Sequence, residues 1–204
     1  MAAEPKLVAL DYRGGSQSRP VALDRGLARL ADRQHGVVTR SQLLALGFTA
    51  RAVHNRVDRG GLQLLHRGVY AAGHRVLTAH GHWLAAVLAC GPDAVLSHRS
   101  AAALWDLRPT TRPTIDVTAP RSRHRRPGID LHHSRCLEPP QRIEHKRIPC
   151  TTVARTLVDL AAVLEKTGIE RAWQRAEMLD LLDVAAVRGV LRRAQLRELP
   201  NRMR

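Results

Sequence analysis

The chain has 204 residues, 33 of them Lys or Arg and 18 Asp or Glu, for a formal net charge of +15. That length suits one or two domains with a buried core, and 44% hydrophobic with 25% charged residues excludes a disordered chain. No run approaches the roughly 18 apolar residues of a membrane span, the N-terminus lacks a secretory pattern, and three scattered cysteines form no disulfide framework, so a reducing cytoplasm is expected.

In chain order, residues 1–20 include Arg13-Gly14-Gly15-Ser16 and read as a flexible leader. Residues 21–76 read as a first module. Leu23, Leu27, Leu30 and Ala31 recur at helical spacing until Gly36 stops them, and Val37-Val38 crosses to the next element. Thr39 caps a short helix through Leu43, Leu44 and Leu46 that ends at Gly47, with Phe48 turned inward. Thr49 caps a third helix from Ala50 to Arg59, closed by Gly60-Gly61. Two short helices joined by a tight glycine turn form a helix-turn-helix.

On the third helix, Ala50, Val53 and Val57 form the expected buried stripe, while Arg51, Asn55 and Arg59 follow at steps of four on another face, flanked by His54, Arg56 and Asp58. Arg pairs with guanine and Asn with adenine in bidentate geometry in a major groove, although a solvated charged face uses the same residues. Leu62, Leu64 and His66 alternate, Arg67-Gly68 turns the chain, and Val69-Tyr70-Ala71 returns, so a small hairpin follows the helices. The expected fold is therefore a winged helix, with His66 and Arg67 at the wing turn available to phosphate or a minor groove. Winged helices also serve as protein-interaction modules, and that alternative stays open.

Residues 77–195 read as a small α+β module with helices at its end, and residues 196–204 as a frayed tail. An Ala-rich helix covers 83–90, Val95-Leu96 is a short apolar piece, and Ser97 is placed to cap a helix through Trp105. Residues 114–118 and 128–133 alternate as strands around a basic loop holding Arg121, Arg123, Arg125 and Arg126; residues 143–148 are a third candidate strand. Helices follow over 152–164, 167–182 and 184–199.

Three constellations here mimic chemistry. His132, His133, Cys136 and Cys150 lack the paired spacing of a zinc site, and strand alternation sends the two histidines to opposite faces, so no metal or cofactor is expected. Ser97, His98 and Asp106 have the composition of a nucleophilic triad without a glycine elbow, and an N-cap role explains Ser97. Asp130 with Glu144 and Lys146 has the acidic-x-Lys composition of metal-dependent nucleases, and a nuclease is the runner-up reading. The primary reading is not an enzyme.

The charge is distributed unevenly. Residues 20–74 carry net +5, residues 75–107 balance, and residues 108–147 carry net +6, so two basic blocks flank a neutral, Ala-rich stretch and a module boundary is expected near 74–81. Thirty of the 33 cations are Arg, a bias that an Arg-rich genome would produce without purpose. Six aromatic residues are too few for single-strand stacking platforms, which leaves duplex nucleic acid as the polyanion of choice.

The runs Gly36-Val37-Val38-Thr39-Arg40-Ser41-Gln42-Leu43, Gly47-Phe48-Thr49 and Leu65-His66-Arg67-Gly68-Val69-Tyr70 resemble the AbiEi family of antitoxins. Leu96-Ser97-His98-Arg99-Ser100-Ala101-Ala102, Ile115-Asp116-Val117-Thr118 and Ala154-Arg155-Thr156-Leu157-Val158-Asp159 extend the likeness to about residues 24–165. The resemblance implies a cytoplasmic antitoxin of a type IV toxin–antitoxin pair. Its winged helix would bind operator DNA and repress its own operon, and its second domain would counter a nucleotidyltransferase-like toxin without a stable complex. Carried over by position, the DNA-reading set falls on Thr49, Arg51, His54, Asn55 and Arg56, with His66 and Arg67 on the wing; Arg40 and Arg59 complete the candidate DNA-binding residues. Many proteins with this N-terminal half continue into a domain resembling very short patch repair endonucleases; these 204 residues are expected to lack it.

Overall fold

The computed structural model describes residues 18–73, 76–120, 126–134 and 137–202. Helix α1 (Ser18–Arg33) starts ahead of the periodic stretch and puts Leu27 and Ala31 into the core. Residues 1–17 of the expected leader lie outside the described residues. After Gly36, whose φ is 84°, strand β1 (Val37–Thr39) forms where a plain crossing was expected. Helices α2 (Arg40–Ala45) and α3 (Ala50–Asp58) and the hairpin of β2 (Leu62–His66) and β3 (Val69–Ala72) follow as the sequence suggests. Both strands flanking β3 pair with it antiparallel, in the order β1-β3-β2, which completes a winged helix.

Local chemistry explains these boundaries. Thr39 Oγ1 accepts from the Gln42 amide at 3.2 Å while Gln42 Oε1 accepts from the Thr39 amide at 2.9 Å, a closed capping box at the start of α2. Gly47 carries the chain between the two helices at φ 101°, a left-handed conformation that strains any side chain with a Cβ. Thr49 then caps α3 by accepting from the Ala52 amide. Phe48, Val38, Leu43, Val53, Leu62 and Tyr70 close the core beneath α1.

The second module comprises α4 (Ala79–Cys90), β4 (Val95–Leu96), α5 (His98–Leu104), β5 (Ile115–Ala119), β6 (Ile129–His133), β7 (Arg142–His145) and β8 (Ile148–Thr151), then α6 (Val153–Leu160), α7 (Lys166–Met178) and α8 (Val184–Arg202). Its mixed sheet has the order β6-β5-β4-β8-β7, so the two-residue strand β4 lies at the centre. The stretch read as one strand over 143–148 is instead the hairpin β7–β8, turned at Lys146 and Arg147 with φ values of 48° and 60°. The segment expected to fray from 196 continues α8 to Arg202. Helices α5 to α8 share a second apolar core around Leu107, Leu157, Leu160, Ala172 and Val187.

Helix α4 accounts for the neutral, Ala-rich stretch. A helix that is apolar all round must be buried all round. Leu84, Ala86, Val87 and Cys90 pack on the larger sheet, whereas Ala85 and Ala89 pack on Val37 and Val69 of the small one. Small side chains let both sheets approach. Gly81 carries this furthest: a Cβ there would sit 2.8 Å from the His35 carbonyl oxygen and 3.0 Å from Leu77 Cδ2. Gly81→Ala is expected to cost about 1–3 kcal/mol through overpacking, read as a lower denaturant midpoint at unchanged slope.

Polar contacts also join the modules. His35 Nε2 donates to the Lys146 carbonyl at 2.8 Å, its ring stacks on His80 at 5.4 Å, and Lys146 Nζ reaches Asp106 at 2.9 Å. The His145 ring stacks on Trp105 at 4.0 Å. Burial, with His35 and Lys146 nearby, lowers the pKa of His80 against an opposing pull from Asp106. Burial and Lys146 likewise lower His145, again opposed by Asp106, and burial with Arg126 and His82 lowers His66. These lowered folded values make the unfolded chain the better proton acceptor. Stability is therefore fully present above the ordinary value of 6.5 and is lost as pH falls below it towards the folded values. A denaturation series from pH 8 to pH 5 should show that loss, with a shallower slope in His80→Gln.

Candidate nucleic-acid interface

The outward face of α3 presents Arg51, Asn55 and Asp58 in the middle, with His54 and Arg59 at its margins, all exposed. Its inward face is Val53 with partly buried Ala52 and Val57; Ala50, expected in that stripe, is exposed because Ala52 takes its place. Arg56 departs from the expected reading set. Its guanidinium meets Asp24 Oδ1 at 2.6 Å and lies 4.9 Å over the Phe48 ring, tying α3 to α1 and to the turn. That position lies on the side facing α1, away from Arg51 and Asn55.

Within the outward face, His54 Nε2 lies 3.4 Å from Asp58 Oδ2, so this acid sits beside a residue of the reading set. Arg40 is exposed at the first position of α2, and its amide donates to the Gly68 carbonyl at 2.8 Å, which fixes the wing turn to the helix pair. Arg40, Ala50, Val53, His54, Val57, Leu64 and Tyr70 line a groove between α3 and the wing. Thr49 is an exposed N-cap whose hydroxyl is already engaged with the backbone.

The wing separates its two candidates. Arg67 is exposed at the turn beside Gly68, whose φ is 78° and whose missing Cβ would meet nothing within 4 Å. His66 is half-buried and faces His82 and Arg126, towards the second module. A register shift between Leu64 and His66 accompanies this reorientation, and Leu64, just before it on the wing, is 60% exposed. Plain alternation could not reveal it.

Residues 26–73, from within α1 to just past β3, match a family described as transcriptional regulators, AbiEi antitoxin. The match covers the N-terminal module, which is similar to AbiEi antitoxin regulators over those residues. No curated protein sequence matches the chain. Among solved structures, the RV2827C protein of Mycobacterium tuberculosis is similar at 18% identity over 78% of this chain and 76% of that one, with a TM-score of 0.39.

Outside the AbiEi match, the structure disperses the expected chemical sets. Asp130 lies on β6 and Glu144 on β7, the opposite edges of the larger sheet, and Lys146 pairs with Asp106. The nuclease set therefore does not assemble. Ser97 is buried and Asp106 is engaged elsewhere, so these residues form no triad. The hydroxyl of Ser97 makes no cap; it meets His98 Nδ1 at 3.0 Å and accepts from Thr118 at 2.8 Å. The backbone bends for this contact, with His98 at φ 47°.

His132 and His133 do part, the first towards Asp116 and the second exposed. Burial pushes the Cys150 thiol up to about 12, a poor thiolate, and Cys136 lies outside the described residues. The arginine loop over 121–125 also lies outside them. Sequence reasoning missed a polar cluster of Asp116, Asp130 and His132 with His98 stacked on it. Alternation alone puts Asp130 and His132 on one face; the pairing of β5 with β6 was needed to add Asp116.

Proposed function

We propose that this chain is the autorepressing antitoxin of a type IV toxin–antitoxin pair and that it binds its operator as duplex DNA in the cytoplasm. The carrying observation is the exposed Arg51, His54, Asn55 and Arg59 face of α3, held rigidly by a capped, packed winged helix of AbiEi type. In this reading α3 enters the major groove and Arg51 and Asn55 contact base edges, while Arg40 and Arg67 hold phosphates on either side. Arg56 positions the helix instead of reading bases, and His66 belongs to the junction.

The second module acts on a nucleotidyltransferase-like toxin without a lasting complex. A reporter fused to the chain's own upstream region tests the regulatory half. Co-expression of the protein should repress it, and unchanged expression contradicts autorepression. Growth rescue in cells expressing a neighbouring nucleotidyltransferase-like toxin tests the other half, with continued growth arrest as the contrary result.

A further inference from the structure

Strands β5 and β6 run parallel in a register that sets Asp116 directly beside Asp130 and Thr118 beside His132. Two carboxylates side by side across a strand pair repel. Asp116 is 1% exposed, and its Oδ1 receives His132 Nε2 at 2.9 Å while its Oδ2 is buried without a hydrogen-bond partner. A buried carboxylate oxygen left unpaired is costly. The guanidinium beside the pair is only loosely engaged: Arg112 approaches Asp130 at 3.4 Å and Asp116 at 3.9 Å, and its side chain is 41% exposed.

We propose that Asp116, Asp130 and His132 bind a divalent first-row transition-metal cation that bridges β5 and β6. One donor atom from each residue lies within 4.8 Å of the others. A cation about 2.0–2.2 Å from each donor needs the widest pair to close by roughly an ångström. Asp130, with a side chain 41% exposed, has room for that motion, and Arg112 has room to swing outward. Two carboxylates and one imidazole favour Zn²⁺ or Mn²⁺ over the all-oxygen cations Mg²⁺ and Ca²⁺.

The surroundings hold the donors in place, as outer partners of metal ligands do. The His98 ring stacks on His132 at 3.6 Å and is itself fixed by Ser97. The Ser100 hydroxyl accepts from the Asp116 amide at 2.9 Å, locking the strand where the carboxylate emerges. This site lies in the second module and is independent of DNA binding by the first.

Calorimetry with Zn²⁺ on the full chain, and Mn²⁺ broadening of histidine ring signals, provide the test. The wild type should bind one equivalent, and Mn²⁺ should broaden His132 and His98 first. Asp130→Asn and His132→Gln should each weaken binding at least tenfold with unchanged circular dichroism, while His133→Gln on the opposite face should not. Asp130→Asn is the decisive variant because its partly exposed side chain leaves the core intact. Unsaturable binding, unchanged affinity in Asp130→Asn and His132→Gln, or broadening confined to His35, His80 and His145 would each overturn the site.

Discussion

Replacing Arg51 and Asn55 together by alanine is expected to remove about 1–3 kcal/mol of operator preference for each bidentate base pairing that disappears. Both side chains leave the exposed centre of α3, and neither packs into the apolar core beneath it. Folding should be unchanged. Arg67→Ala should instead weaken binding to every duplex alike and reduce the salt slope by about one, as removal of a phosphate-binding cation does. Arg56→Ala separates positioning from reading: it gives up both Asp24 and the Phe48 ring and should lower thermal stability. Operator titrations of these variants at two salt concentrations, beside melting curves, distinguish the three roles. Identical operator discrimination in the Arg51→Ala/Asn55→Ala protein removes α3 as the reading helix.

Arg155→Ala should be the costliest single change in the second module, at about 3–5 kcal/mol. Arg155 Nε donates to Asp159 Oδ1 at 2.7 Å and Nη1 donates to Gln141 Oε1 at 2.7 Å. Its side chain is 16% exposed and that of Asp159 7%, so solvent replaces little of what the guanidinium supplies. Burial already raises the pKa of Asp159 and Arg155 is the main influence opposing it, while Asp159 Oδ2 has no partner even in the intact pair. Removal of the arginine leaves a buried carboxylate without the main influence that offsets its desolvation. The pair also joins α6 to the turn at Pro139–Gln141, so the damage reaches the edge hairpin β7–β8. A double variant, Arg155→Met with Asp159→Leu, should recover much of the stability because an apolar pair of similar volume carries no stranded charge. Equal destabilisation in the single and double variants would show that shape, not charge, is what the pair supplies. Chemical denaturation gives both numbers.

The winged helix was legible because its signals are local. Thr39, Gly47, Thr49 and Gly68 each mark a boundary through their own backbone or capping chemistry, and the structure uses all four as expected. The hairpin β7–β8 was not legible for the same physical reason. Two-residue turns with positive φ at both positions are normally announced by Asn-Gly or Gly-Gly, and here Lys146-Arg147 adopts them with no such mark. Lys146 is held there from afar, by Asp106 and the Leu104 carbonyl.

The candidate interface divides in the same way. Helical spacing identified Arg51, Asn55 and Arg59 as one exposed face, whereas Arg56 was redirected by a partner 32 residues away and His66 faces the second module at a strand bulge. The Asp116–Asp130–His132 cluster depends on a parallel strand register, a non-local fact that periodicity cannot supply. The net charge of +15 is likewise decided by placement: Arg51, Arg59, Arg40 and Arg67 are exposed around one module, whereas Arg56 and Arg155 are committed to internal pairs.

Fluorescence anisotropy of the intact protein against its own upstream duplex and a scrambled duplex of equal length, at physiological salt, tests operator recognition most directly. Saturable binding to the upstream duplex, tighter by about 10³-fold or more, is the expected result. Equal affinity for the two duplexes, or no binding to either, would contradict it.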